Sequence, residues 1–205
     1  LILLILFSVF TLSARQVRLL TIGNSFSQDA VENYLSDLVK ANGDTIVIGN
    51  MYIGGCSLER HYKNSTTNST DYSFRKIENG VMSKTEGFTL IEAFQNEKWD
   101  YVSFQQVSQH SGMAETYFPY IDSLIVFAKK HTDNTALKII IHATWAYAQD
   151  SKHSGFINYG NNQLTMFNAI VNATQLVGGR VGAACVVPSG TAIQNCRSSK
   201  LGDSF

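Results

Sequence analysis

Five short β-rich runs, at residues 17–22, 45–52, 100–104, 137–143 and 181–187, recur along this chain with helical segments or turn chemistry between them. Strands alternating with helices in this way predict an α/β fold: a flavodoxin-like, three-layer, doubly wound sheet of five parallel strands. Right-handed crossovers put helices on both faces, and the expected strand order is 2-1-3-4-5. Val31, Tyr34, Leu35, Leu38 and Val39 repeat at the spacing of one buried helix face, with Asp29 to cap it and Asn42-Gly43 to stop it. Further helices are expected at 89–96, at 116–131 with Pro119 in the first turn, and at 162–176. Residues 64–71 read as a polar loop, and 144–160 as a long aromatic and polar one. Asn79-Gly80, flanked by 72–78 and 81–85, is a hairpin signal, to be placed at the sheet edge or over the site.

With 205 residues, 44% of them hydrophobic, the chain suffices for one sizeable α/β domain. Lys plus Arg equals Asp plus Glu at 16 each, so no net basic charge argues for a nucleic-acid partner. Residues 1–12 are almost wholly apolar and run into Ser13-Ala14-Arg15, too short to span a bilayer comfortably. They are similar to the hydrophobic region of a secretory signal peptide, the alternative being a buried first strand or helix. The expectation is a signal remnant at 1–14 in a chain clipped at its start, a domain over 15–205, a secreted or periplasmic location, and no membrane role beyond export. Cys56, Cys185 and Cys196 fit neither a zinc site nor a disulfide framework; Cys185 and Cys196 are either paired or free thiols.

Three of the strands end in chemically suggestive residues. Ser25 follows the first, Gly55 the second and Gln105 the third. In the expected order these strands are neighbours, and their carboxyl ends meet at one crevice. Acyl transfer needs a nucleophile, a base and donors aimed at the oxyanion. Ser25 supplies the hydroxyl, its own N–H and that of Gly55 are candidate donors, and the Gln105 side-chain amide, or that of Gln106, would complete the hole. Of five histidines, His131 reads as a helix-end cap and His142 as a core residue. His61, His110 and His153 fall in loops that could border the crevice. His61 and Trp145 are carried as substrate-binding candidates. Trp145, Tyr147 and Tyr159 are placed either to stack on sugar rings or to pack over the sheet edge. There is no P-loop, no dinucleotide fingerprint and no cluster of metal ligands in the sequence, so neither cofactor nor metal is expected.

Gly23-Asn24-Ser25 resembles the first block of the SGNH (GDSL-like) hydrolases, with Asn for Asp; Gly54-Gly55 resembles the second, and residues 99–106 stand where the third falls. The wording of residues 22–27, 54–61 and 144–147 is similar to secreted proteins common in gut Bacteroidetes that carry a domain of unknown function (DUF4886) within that superfamily. The resemblance implies the SGNH-type fold and a catalytic base in an Asp-x-x-His block, expected beyond Phe205, so that the sequence is truncated at its carboxyl end. It implies a cofactor-free serine esterase forming an acyl-enzyme on Ser25, with carbohydrate acetyl esters as expected substrates. Gln105 stands where most relatives carry an Asn donor. The rival functions are a non-catalytic carbohydrate- or partner-binding module on the same fold, and a flavodoxin-like cofactor binder. Acidic Asp29 near the first loop argues against the second of these.

Overall fold

A computed structural model describes residues 15–203. The expectations for residues 1–14 lie outside the described residues. The strands are β1 (Gln16–Gly23), β2 (Thr45–Tyr52), β3 (Tyr72–Glu78), β4 (Val81–Phe88), β5 (Tyr101–Phe104), β6 (Lys138–His142) and β7 (Cys185–Val187). The helices are α1 (Ser25–Val31), α2 (Leu35–Ala41), α3 (Leu58–Thr67), α4 (Leu90–Asn96), α5 (Tyr120–His131), α6 (Gln163–Val181) and α7 (Ser189–Arg197).

The sheet runs β4-β3-β2-β1-β5-β6-β7. Strands β2, β1, β5, β6 and β7 are parallel, in the 2-1-3-4-5 order of a doubly wound sheet. The sheet has seven strands rather than five, because the hairpin β3–β4 adds two antiparallel strands beside β2. Asn79 and Gly80 both take positive φ at its tip, 54° and 77°, as a tight primed turn requires.

Alternating strand residues divide between two faces. Leu20, Ile22, Val47, Met51, Val102, Phe104 and Ile141 pack under α3, α4 and α5 in the main core. On the other face Ile46 and Ile48 meet Val31 of α1, with Leu35 and Val39 of α2 packed against them. Beyond α1 this second face opens into a trough of about 320 Å³ floored by Val17, Leu19, Tyr101, Ile140 and Val187.

Three local expectations need correction. The single helix expected around 31–39 is two, α1 and α2, and Asn24, not Asp29, caps the first through a 3.1 Å bond from the Phe26 N–H. Between them Glu32 turns inward to Arg75, which shifts the helical phase and leaves Tyr34 and Leu38 74% and 66% exposed. Of the loop expected at 64–71, residues 64–67 are the end of helix α3, which is capped by Ser57. Its inward face is Leu58, His61, Asn64 and Ser65, so polar residues hide the apolar period. Helix α6 continues to Val181 and closes on Gly182, with φ at 64°, which shortens the last strand to three residues. Cys56, Cys185 and Cys196 are free thiols.

Candidate active site

β1 ends at Gly23, where a side chain has no room. A Cβ there would lie 2.7 Å from Ser27 Oγ and 2.9 Å from Gln105 Cδ. The chain then turns through Asn24 into α1, and Ser25 stands exposed as its first residue. At that helix position the Ser25 N–H has no intrahelical acceptor.

The second strand end lies alongside. Ile53 N–H donates to Gly23 O at 3.3 Å, and Cys56 N–H closes a turn onto Ile53 O at 3.2 Å. Gly55 takes the third place of that turn with φ at 61°, a conformation glycine adopts without strain. Among the described residues its N–H donates to no acceptor. Asn24 joins the two turns: its Nδ2 donates to Cys56 O at 3.0 Å. Ser25 and Gly55 thus follow the ends of neighbouring parallel strands, at the same end of the sheet.

Gln105 differs from expectation. It is 2% exposed, and its Nε2 donates to Asn24 Oδ1 at 2.7 Å while its Oε1 meets His142 Nδ1, also at 2.7 Å. Its side chain faces the α1 side of the sheet, where it braces the turn from beneath instead of presenting an amide to solvent. Gln106 is equally buried, and its Oε1 accepts from the N–H groups of Leu58 and Val107 while Nε2 donates to Thr116 O. Both amides are buried, and both tie a strand end to neighbouring loops.

His61, expected to border the crevice, is fully buried in the inner face of α3. Its Nδ1 lies 2.9 Å from Tyr72 Oη and 3.5 Å from Cys56 Sγ, and burial lowers its pKa to about 3. It packs in the core, away from solvent. Burial pushes the Cys56 thiol up to about 12, so this sulfur is no activated nucleophile. His142 is buried in β6, with its pKa lowered to about 4 by burial. His153 Nδ1 accepts the Gly155 N–H and lies 3.0 Å from Tyr147 Oη. Among the described residues no histidine hydrogen-bonds Ser25.

Trp145 is half-buried and packs edge-on against Phe26, the residue after Ser25, with ring centroids 4.5 Å apart. Tyr159 is buried, with its hydroxyl on Gly112 N–H and Gln109 O, and packs in a satellite core with Phe156 and Met166. Beside the glycine turn a recess of about 250 Å³ is lined by Ser57, Glu59, His110, Glu115, Phe118 and Tyr120. Among the described residues no group of three His, Cys, Asp or Glu is placed to hold a metal, and no helix is long and apolar enough to cross a membrane.

Sequence reasoning missed Asn24, the hub between the two turns. The signal available was its place immediately before a helix, where Asn is a favoured cap. It also missed the buried set behind the turn, in which Ser27 and Thr21 hydroxyls reach Asn50 Oδ1 at 2.9 and 2.8 Å. Asn50 Nδ2 in turn donates to Glu32 at 2.6 Å.

A mostly parallel sheet whose central strand runs into an exposed serine, with a glycine turn after the neighbouring strand, frames the candidate site. A protein from Slackia heliotrinireducens assigned to the SGNH hydrolases has the same fold, at a TM-score of 0.54 and 20% identity over 83% of this chain and 78% of its own. Residues 18–205 match the family described as domain of unknown function (DUF4886), and the chain belongs to that family. A crystal structure of a DUF4886 family protein from Bacteroides uniformis is similar at a TM-score of 0.88 and 45% identity, over 92% of this chain and 73% of its own. No curated protein matches the sequence.

Proposed function

We propose that the protein is a serine esterase in which Ser25 attacks the ester carbonyl, the Ser25 and Gly55 N–H groups receive the oxyanion, and an acyl-enzyme forms on Ser25. The observation that carries this reading is the exposed Ser25 hydroxyl beside two unpaired backbone donors, the pair joined through Asn24. Two such donors supply transition-state stabilisation that a loop serine in water lacks. The base that takes the Ser25 proton is, by the family resemblance, the histidine of the Asp-x-x-His block. Water then resolves the acyl-enzyme with no cofactor required.

The substrate class is an acyl ester on carbohydrate, and the natural location of such an enzyme is outside the cytoplasm. Trp145 beside Ser25 and the recess with His110, Glu115 and Tyr120 support a polar, ring-shaped alcohol group. The test is hydrolysis of p-nitrophenyl acetate and of acetylated oligosaccharide by the complete protein and its Ser25→Ala variant. Turnover should fall on the order of 10³-fold or more with the thermal midpoint unchanged. Equal turnover in the variant removes Ser25 as the nucleophile, and sugar binding without turnover in the parent would favour a binding module.

A further inference from the structure

The hydrogen bonds behind Ser25 form a chain whose direction is fixed at one end. Asn24 Oδ1 accepts the Phe26 backbone N–H at 3.1 Å, a group that can only donate. This sets the Asn24 amide, so its Nδ2 faces the Cys56 carbonyl, a pure acceptor, at 3.0 Å. The group that meets Asn24 Oδ1 at 2.7 Å must then be the Gln105 amino group, leaving Gln105 Oε1 as an acceptor. His142 Nδ1, 2.7 Å from that oxygen, must carry a proton. His142 Nε2, in the neutral ring that its burial favours, accepts from Ser189 Oγ at 2.9 Å.

We infer that His142 is a positioning residue: held as the neutral Nδ1–H tautomer, it fixes Gln105, through Gln105 the Asn24 amide, and so the relative placement of the Ser25 turn and the Gly54–Gly55 turn. The inference rests on the esterase reading only for its effect on turnover. Every polar atom in the chain has one consistent role, and the four side chains from Asn24 to Ser189 come from four places: the ends of β1, β5 and β6, and the start of α7. Both ring nitrogens are satisfied, as a buried imidazole requires, and one of the two partners is the side chain that reaches Asn24. The far end of the chain, Ser189, opens α7, whose next residue donates its N–H to Ala143 O at 3.0 Å. The device therefore spans the carboxyl edge of the parallel sheet from β1 to beyond β7. Among the described residues His142 hydrogen-bonds neither Ser25 nor Gly55, and it acts by holding the turns that carry the donors.

The test uses three variants of the complete protein. His142→Phe removes both bonds, His142→Asn restores a donor near the position of Nδ1, and Ser189→Ala removes only the outer partner. We expect His142→Phe to lower kcat about tenfold to hundredfold with KM little changed, as a sub-ångström misplacement of the donors predicts. His142→Asn should recover most of that loss, and Ser189→Ala should cost little. Nitrogen-15 chemical shifts of the His142 ring supply an arm that needs no activity. They should show the Nδ1–H tautomer, and the Asn24 side-chain amide protons should exchange faster in His142→Phe. The Nε2–H tautomer, or unchanged Asn24 exchange in His142→Phe, overturns the inference. Equal kcat loss in the Phe and Asn variants also overturns it. If the parent hydrolyses no ester, the esterase reading fails and the ring tautomer and exchange still decide this one.

Discussion

Asn24 holds Cys56 across the sheet: a single 3.0 Å bond from Nδ2 to the Cys56 carbonyl joins the residue before Ser25 to the residue after Gly55. The same side chain caps α1 and accepts from Gln105, so one amide serves three elements. Its removal therefore affects stability and geometry together.

Asn24→Ala should cost about 0.5–2 kcal/mol as the loss of a helix cap. Turnover should fall further than that figure implies, because the glycine turn loses its anchor. Paired urea denaturation and esterase assays separate the two effects. A variant that is destabilised yet fully active would show that the glycine turn holds its place without Asn24.

Gly55→Ala isolates the turn itself. A Cβ at Gly55 meets nothing within 4 Å, so its cost is the left-handed backbone alone, roughly 1–2 kcal/mol. Gly43, with φ at 85° and equally open surroundings, lies away from the site and serves as the control. Both alanine variants should lose similar stability in thermal melts, and only Gly55→Ala should lose activity.

Glu32 and Arg75 form an ion pair at 3.1 Å with side chains only 5% and 13% exposed. Arg75 also stacks over the Tyr52 ring at 3.8 Å. Glu32→Ala leaves the Arg75 charge buried and Asn50 without its acceptor, and should cost about 3–5 kcal/mol. Chemical denaturation measures this, and the Glu32→Leu, Arg75→Met double variant should recover part of the loss. A cost under 1 kcal/mol would mean that water reaches Arg75.

His61 and His142 are held neutral by burial, with pKa values of about 3 and about 4 against the ordinary 6.5. The unfolded chain takes up their protons first, so stability is fully present above pH 6.5 and declines as pH falls below it. Each histidine contributes a slope of about 1.4 kcal/mol per pH unit. Urea midpoints measured between pH 7 and pH 5 should fall accordingly, and His61→Leu should remove about half of the slope. A flat profile over that interval would refute the buried neutral state.

The parallel order and the strand-end positions of Ser25 and Gly55 were legible because β-rich runs separated by helical periods leave few topologies open. The hairpin was legible from Asn79-Gly80, a local signal, but its pairing with β2 is a long-range contact that no local pattern encodes. Helix α3 was hidden because His61, Asn64 and Ser65 take inward positions usually held by apolar residues. The roles of Gln105 and His142 depend on which face of β5 and β6 each side chain takes, and on partners 81 and 37 residues apart in sequence. A run such as Val102-Ser103-Phe104-Gln105-Gln106 shows which residue types are available, and the register of the sheet decides what they touch.

The hairpin β3–β4 also changes which strand is the vulnerable one. Without it β2 would be the margin of the sheet, with one row of amides free to open to water, and the Gly54–Gly55 turn would hang from a fraying strand. With it, β4 becomes the margin: its side chains are exposed over Val81–Gly87, and Lys84 and Glu86 face solvent and pair with each other at 2.7 Å. Charges on an outer strand discourage another chain from adding to it. Local opening is thereby displaced two strands outward, onto a ribbon that holds no part of the candidate site. The Gly54–Gly55 turn thereby hangs from an interior strand, and the hairpin works as a splint for chemistry it never touches.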